Sequence, residues 1–130
     1  MMKAVNPATG ELIREFPEHD ESAVAARLER ATQAFESWSR FDFAERARHL
    51  TSVADLLRDR AGDFARLMTE EMGKPITASE SEIDKCAWVC DFYAEHAAGF
   101  LAAETVATDA AKSLVRYDPL GPVLAIMPWN

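Results

Sequence analysis

The stretch "PLGPVLAIMPWN", residues 119–130, decides the fold. A continuous apolar run, residues 123–127, follows the break at Gly121 and Pro122. Such a run is typical of a parallel strand buried on both faces, and that kind of strand needs neighbouring strands and covering helices. Chain ends are usually polar and exposed. We therefore expect an α/β fold in which this sequence is the opening part of a longer protein.

Two amphipathic helices are predicted in the first half of the sequence. The first has Asp20 as its N-cap, and its apolar residues recur at spacings of three and four as far as Trp38. The second starts at Asp42 and Glu45, which have the spacing of a capping box. Gly62 is expected to close this second helix.

Two further helices follow. The third is predicted over residues 63–72 and stops at Gly73, shortly before Pro75. The fourth, residues 76–102, is the longest periodic segment and has two apolar edges. Two apolar edges indicate that this helix is covered on more than one side and lies centrally.

Extended segments are predicted at both ends of the sequence. Residues 3–18 have the pattern of a hairpin with its turn at residues 6–10. Residues 113–119 alternate between apolar and polar side chains, which indicates a strand. The sequence thus predicts a mainly α-helical segment of an α/β fold, with an N-terminal hairpin and C-terminal strands.

The charge balance limits the classes of partner. The chain has 14 basic and 22 acidic residues and a net charge of −8. This balance argues against nucleic acid and anionic membrane as partners, because both require clustered Lys and Arg.

No apolar run reaches the roughly 18 residues of a membrane span, and the first residues do not form a secretory signal. We expect a cytoplasmic protein.

The two cysteines, Cys86 and Cys90, are four residues apart in the fourth predicted helix. Helical geometry at this spacing rarely allows a disulfide, which fits a reducing compartment. A tetrahedral zinc site needs two further ligands, and none stands at a suitable spacing. We expect both cysteines to be buried structural residues and expect no metal site.

The last two residues have two interpretations. Asn130 follows the predicted buried strand, and ligands bind at the carboxyl ends of strands in open α/β sheets. Its amide donates two hydrogen bonds and can stabilise an oxyanion formed by attack on a carbonyl, while Trp129 could wall a cofactor ring. The alternative from spacing alone makes Trp129 a core aromatic residue and Asn130 a turn residue.

Four stretches resemble the NAD(P)-dependent aldehyde dehydrogenase family, and they occur in the family's order. These are "NPATGE", "EMGKP", "FYAEHA" and "DPLGPVLAIMPWN", at residues 6–11, 71–75, 92–97 and 118–130. Many members continue straight on where this sequence has Pro122. Within the family, the sequence is most similar to bacterial succinate-semialdehyde dehydrogenases, and it resembles only about the first quarter of a member.

The resemblance implies a reaction and a set of site residues. The reaction is oxidation of an aldehyde, with succinic semialdehyde as the expected substrate, to the carboxylic acid with NAD or NADP as cofactor. Asn130 inherits the role of oxyanion stabiliser. The residues implied for the cofactor path are Ile126, Met127, Pro128 and Trp129. The residues implied for the aldehyde entrance are Lys85, Val89, Phe92 and Tyr93.

One of the entrance residues suggests how the substrate is selected. If Lys85 points into the entrance, its charge could pair with the distal carboxylate of a semialdehyde acid. The alternative is an ordinary solvent-facing lysine beside Asp84. Both interpretations are compatible with the sequence.

The resemblance also implies a domain organisation. Residues 1–104 would be the helical part of the cofactor-binding domain, residues 105–118 an oligomerisation hairpin of a homodimer or homotetramer, and residues 119–130 the truncated first strand of the dinucleotide-binding sheet. The family's catalytic Cys and general-base Glu lie beyond this sequence, so we expect the 130-residue chain alone to be inactive. The alternative is an inactive fragment or a non-catalytic helical interaction module that retains the family's N-terminal sequence.

Overall fold

The computed structural model describes residues 1–127, which form helices and short antiparallel hairpins. The chain divides into two compact units, one of residues 1–18 and 42–98, the other of residues 19–41 and the segment from residue 99 onward. The elements are β1 (Met2–Val5), β2 (Leu12–Phe16), α1 (Glu21–Trp38), α2 (Phe43–Asp59), α3 (Ala61–Met72), α4 (Ile76–Phe100), β3 (Glu104–Thr105) and β4 (Leu114–Val115).

The first unit begins with the predicted hairpin of β1 and β2. The strands pair antiparallel, from Met2 opposite Phe16 to Val5 opposite Leu12. In the turn, the side-chain oxygen of Asn6 accepts a hydrogen bond from the Ala8 N–H at 2.9 Å. Gly10 has φ of +75°, a conformation that glycine adopts without steric cost. The turn chemistry predicted for residues 6–10 is therefore confirmed.

Helix α2 begins as predicted and ends earlier than predicted. Asp42 accepts a hydrogen bond from the Glu45 N–H at 2.7 Å, and the Glu45 carboxylate accepts one from the Asp42 N–H at 3.2 Å, which completes the capping box. The prediction that Gly62 closes the helix is wrong, because α2 ends at Asp59 and Gly62 lies in the first turn of α3. Arg60 breaks the helix by leaving helical geometry, with φ of −112° and ψ of 22°.

The corner between α3 and α4 holds two of the sequence motifs together. Gly73 ends α3 in the left-handed conformation, with φ of 73°, and its N–H donates to the Thr69 carbonyl at 2.9 Å. A Cβ placed on Gly73 would lie 3.1 Å from Cγ of Pro7. The turn of the first hairpin therefore packs directly against this corner. Lys74 also forms an ion pair with Glu82 of α4, and both side chains are partly buried.

The core of this unit consists mainly of small residues on α2, α3 and α4. The buried apolar residues are Ala54, Ala65, Ile83 and Ala87. Ser79 is also fully buried, and its hydroxyl lies 3.2 Å from that of Thr69, so the polar atom has a partner inside the core. Three of the four apolar core residues are alanines, and many larger apolar side chains of the described residues are exposed.

The second unit contains α1 and the segment after α4. Asp20 caps α1 as predicted and accepts a hydrogen bond from the Ala23 N–H at 2.8 Å. This bond is the main cause that lowers the pKa of the Asp20 carboxyl. The apolar stripe of α1 is largely uncovered, since Leu28 is 64% exposed. The C-terminal half of α1 lines an apolar pocket of about 330 Å³. The residues that line it are Ala31, Ala34, Phe35, Trp38, Gly121 and Pro122.

The extended segments after α4 are shorter than the sequence predicts. The strand expected over residues 113–119 is reduced to β4, which pairs antiparallel with β3. Residues 123–127 were predicted as a buried strand, but no strand forms there, and the side chains of Val123 and Leu124 are 88% and 85% exposed. A parallel strand needs backbone partners on neighbouring strands, and none pairs with this run among residues 1–127.

No helix among residues 1–127 is both long enough and apolar enough to cross a membrane.

Candidate functional site

The middle of α4 presents the four residues predicted for the aldehyde entrance. Lys85, Val89, Phe92 and Tyr93 lie at positions i, i+4, i+7 and i+8, which place them along one side of the helix. Lys85 and Tyr93 are exposed, whereas Val89 and Phe92 are half-buried. This side of α4, called the entrance face below, is open to solvent and combines apolar surface with one positive charge.

Aromatic rings surround Phe92 at the centre of the entrance face. Its ring centroid lies 4.5 Å from that of His96 and 5.4 Å from that of Tyr93, and both pairs meet edge to face. Trp88 lies 5.6 Å away on the other side and is 57% exposed. Such pairs hold the rings in defined orientations. The entrance face therefore has a packed aromatic wall beside its lysine.

Trp88 and His96 also lie on this side of α4 but were not among the predicted residues. Both are four residues from Phe92, and side chains at that spacing meet on a helix. The regular spacing of Trp88, Phe92 and His96 was therefore the signal that could have identified them.

Lys85 is the cation on this face. Its ammonium group has no ion pair among the described residues, whereas Lys74 is paired with Glu82 and Lys3 with Glu15. The neighbouring Asp84 forms no ion pair with it within residues 1–127. The charge of Lys85 is therefore available to an anionic group that approaches α4.

Two of the residues predicted for the cofactor path, Ile126 and Met127, are described, and both belong to the second unit. Ile126 and Met127 are 85% and 79% exposed. Pro128, Trp129 and Asn130 lie outside the described residues, so their predicted roles stay predictions. Earlier in the same unit, the Glu104 carboxylate accepts a hydrogen bond from the Tyr117 hydroxyl at 3.1 Å and raises the pKa of that phenol.

The cysteines are free, and the structure corrects one prediction about them. Cys90 is half-buried, but Cys86 is exposed, so the expectation of two buried cysteines is wrong. Cys86 lies two turns before Tyr93 on the same side of α4, and Tyr93 is also exposed, so this side of the helix is open to solvent within residues 1–127. Within residues 1–127, no three His, Cys, Asp or Glu side chains lie close enough together to hold a metal ion.

The model of the "Aldehyde dehydrogenase family" matches residues 1–130. The chain belongs to the aldehyde dehydrogenase family. Its hairpin, helices and short strands are therefore part of the α/β fold of aldehyde dehydrogenases, as the resemblance implied.

Curated members of the family align with nearly the whole chain. A probable succinate-semialdehyde dehydrogenase [NADP(+)] from Synechocystis sp. is 46% identical over 126 residues, which are 97% of this chain and 28% of the relative. A succinate semialdehyde dehydrogenase [NAD(P)+] from Escherichia coli is 38% identical over 127 residues, with 98% and 28% covered. The chain thus spans a little over a quarter of the length of these relatives.

Solved structures have the same fold. A succinic semialdehyde dehydrogenase from Streptococcus pyogenes, in complex with NADP+, superposes with a TM-score of 0.80 at 33% identity. The superposition covers 86% of this chain and 25% of that one. A betaine aldehyde dehydrogenase from Staphylococcus aureus superposes with a TM-score of 0.81 at 24% identity over 91% of this chain and 24% of that one, which shows a common fold.

Proposed function

We propose that this chain supplies the leading helices and the aldehyde entrance of an NAD(P)-dependent aldehyde dehydrogenase. The proposed reaction is oxidation of succinic semialdehyde to the dicarboxylic acid. The observation that carries the proposal is the family match along residues 1–130. The choice of substrate is supported by the relatives named succinate-semialdehyde dehydrogenases, which align over 97% and 98% of the chain.

Asn130 is assigned to the oxygen of the aldehyde. When a thiolate adds to the carbonyl, negative charge develops on that oxygen, and the amide N–H of Asn130 would donate a hydrogen bond to it. An amide donates this hydrogen bond without transferring its proton to the oxygen, because it stays neutral. Neither Cys86 nor Cys90 is assigned as the nucleophile, since both lie inside α4, far from a helix N-terminus that would favour the thiolate.

The cofactor is assigned to the segment around Ile126. The exposed apolar side chains of Ile126 and Met127 fit the flat face of a nucleotide or nicotinamide ring. When bound, NAD(P) accepts the hydride that the aldehyde loses. The described residues contain only isolated glycines, so we do not assign the pyrophosphate contacts to residues 1–127.

The entrance face is assigned to substrate selection. Lys85 offers an unpaired positive charge among the described residues, and the rings around Phe92 offer apolar surface for the carbon chain. A semialdehyde acid has a carboxylate at one end and the reactive carbonyl at the other. We propose that Lys85 attracts that carboxylate while the chain lies along the aromatic wall.

The proposal also covers the assembly state and the cellular location of the protein. The antiparallel pair β3–β4 carries exposed apolar residues, with Leu114 at 42% and Val115 at 45%, and this supports residues 105–118 as an oligomerisation segment of a homodimer or homotetramer. Two free cysteines at one turn's spacing support a reducing, cytoplasmic location.

The proposed activity is tested in a chimera. Residues 1–130 replace the aligned segment of the Synechocystis relative, with which they share 46% identity over 126 residues. We expect the chimera to reduce NADP+ in the presence of succinic semialdehyde, measured by absorbance of the reduced cofactor. In the same chimera, Asn130→Ala should lower kcat by about 10²–10³-fold, the typical cost of losing one oxyanion donor.

Two outcomes would count against this assignment. A chimera that elutes and melts like the parent enzyme but has no activity contradicts the proposed function. An Asn130→Ala chimera with unchanged kcat contradicts only the role proposed for Asn130 and leaves the proposed reaction in place. Far-UV circular dichroism of each variant separates these outcomes from misfolding.

The role of Lys85 is tested by a ratio in the same chimera. Lys85→Ala should lower kcat/KM for succinic semialdehyde relative to that for an uncharged aldehyde by about fivefold, since an exposed ion pair contributes up to about 1 kcal/mol. Arg66→Ala is the matched control, because Arg66 is an exposed cation of α3 without an ion pair among residues 1–127. An unchanged ratio in Lys85→Ala removes Lys85 from substrate selection.

A further inference from the structure

We propose that Cys86 and Cys90 form a dithiol site on α4 that binds soft, thiol-seeking ligands able to bridge two sulfurs, with monosubstituted trivalent arsenicals as the defining class. The proposal does not depend on the function proposed above. It rests on the position, the exposure and the chemical state of the two thiols.

The helix places the thiols side by side. Cys86 and Cys90 are one turn apart on α4, which runs from Ile76 to Phe100, so both lie well inside the helix and away from its fraying ends. Residues at this spacing have Cβ atoms about 5–6 Å apart on the same face. Both cysteines are free, Cys86 is exposed and Cys90 is half-buried, so a small reagent can reach the pair from solvent.

The same spacing that disfavours a disulfide favours a bridging atom. A disulfide needs Cβ atoms about 3.5–4.5 Å apart, which is closer than one helical turn provides. An atom bound between the two sulfurs replaces the single S–S bond by two bonds. The bridge between the side chains is then long enough for Cβ atoms one helical turn apart, and the helix does not need to bend. Soft thiolate ligands prefer soft partners, so the site selects thiophilic centres over hard cations.

The binding step needs no oxidant or reductant. A monosubstituted arsenic(III) oxide condenses with two thiols, so that two As–S bonds form and the two thiol protons leave with the oxide oxygen as one water molecule. Arsenic keeps its oxidation state and its organic substituent. The product is a ring closed through the Cys86 and Cys90 side chains and the helix backbone between them.

The test uses phenylarsine oxide and the 130-residue chain, whose only cysteines are these two. We expect one phenylarsenic group per chain by intact-mass spectrometry and the loss of both free thiols in a thiol titration. Cys86→Ser and Cys90→Ser should each weaken binding by about a hundredfold, because chelation by two linked groups is lost. A single-cysteine variant that binds as tightly as the unmodified chain overturns the proposal.

A register control separates the helix from mere proximity in sequence. In the double variant Trp88→Cys/Cys90→Ser, the thiols at positions 86 and 88 lie on nearly opposite sides of α4, and Trp88 is 57% exposed, so its replacement should be tolerated. We expect weak binding in buffer and strong binding in urea, where the helix is lost. Equal binding by the 86/88 and 86/90 pairs in buffer, with the helix intact by circular dichroism, overturns the proposal.

Discussion

At the scale of single residues, Gly73 sets the corner between α3 and α4. Its φ of 73° lies in the left-handed region, where a side chain costs about 1–2 kcal/mol. A Cβ at this position would also approach Cγ of Pro7 to 3.1 Å, closer than most van der Waals contacts. Backbone conformation and packing therefore both require glycine here.

We predict that Gly73→Ala lowers the free energy of unfolding by about 2 kcal/mol, measured by urea unfolding of the 130-residue chain. Gly62→Ala is the matched control. Gly62 lies in the first turn of α3 without positive φ, and a Cβ added there would meet no atom within 4 Å, so we expect a neutral or stabilising effect. The double variant Pro7→Ala/Gly73→Ala should recover part of the loss. Equal stability of the Gly73→Ala and Gly62→Ala variants would contradict this account.

At the scale of elements, polar contacts join α4 to the helices before it. Lys74, in the link after α3, is paired with Glu82 of α4, and their side chains are only 23% and 31% exposed. Arg58 of α2 donates a hydrogen bond to Asp91 of α4, and this bond is the main cause that raises the pKa of the guanidinium. These contacts add to the small apolar core that α2, α3 and α4 share.

We predict a coupling free energy of about 1 kcal/mol between Lys74 and Glu82, measured by a double-mutant cycle of alanine variants in urea unfolding. Partial burial shields this pair from solvent and salt. The Arg116–Asp118 pair, 69% and 61% exposed, is the comparison and should couple by less than about 0.5 kcal/mol. The idea fails if the two pairs couple equally or if the Lys74–Glu82 coupling disappears at moderate salt.

Elements whose signals are local were predictable from the sequence. Asp20, the capping box at Asp42 and Glu45, and the stop at Gly73 all act through bonds within a few residues, and the structure confirms each. Gly62 was misassigned because a glycine inside the first turn of a helix gives the same signal as a glycine after its end. The exposure of Cys86 was missed because the prediction used the general tendency of free cysteines to be buried, which does not depend on the side of the helix that a cysteine occupies.

At the scale of the whole molecule, apolar surface is the main feature that local signals do not explain. The predicted strand over residues 123–127 is exposed, and so are Val24 and Leu28 of α1. Sheet formation depends on partners that are remote in sequence, so an apolar run alone cannot provide it. The candidate site has the same limit: helical spacing places Lys85, Val89, Phe92 and Tyr93 on one side of α4, whereas it says nothing about the arrangement of the predicted cofactor residues around Ile126.

We predict that the 130-residue chain associates with itself in a concentration-dependent way through the exposed run at residues 123–127. Leu124→Asp should shift the sedimentation-velocity distribution toward the monomer, because Leu124 is 85% exposed and a charge there opposes apolar contact. Ala111→Asp adds the same charge at an exposed position outside the run and is the control. If both variants shift the distribution equally, net charge rather than this run governs association.

The contact between Pro7 and Gly73 has a consequence for how such genes recombine. Two residues that share one packing site are compatible only as a pair, although their codons lie in different parts of the gene. A crossover between those codons can combine a larger side chain at one of the two positions with Pro7 or Gly73 at the other. Libraries shuffled among relatives should therefore lose viable members when the crossover falls between these codons, unless both parents carry the same pair.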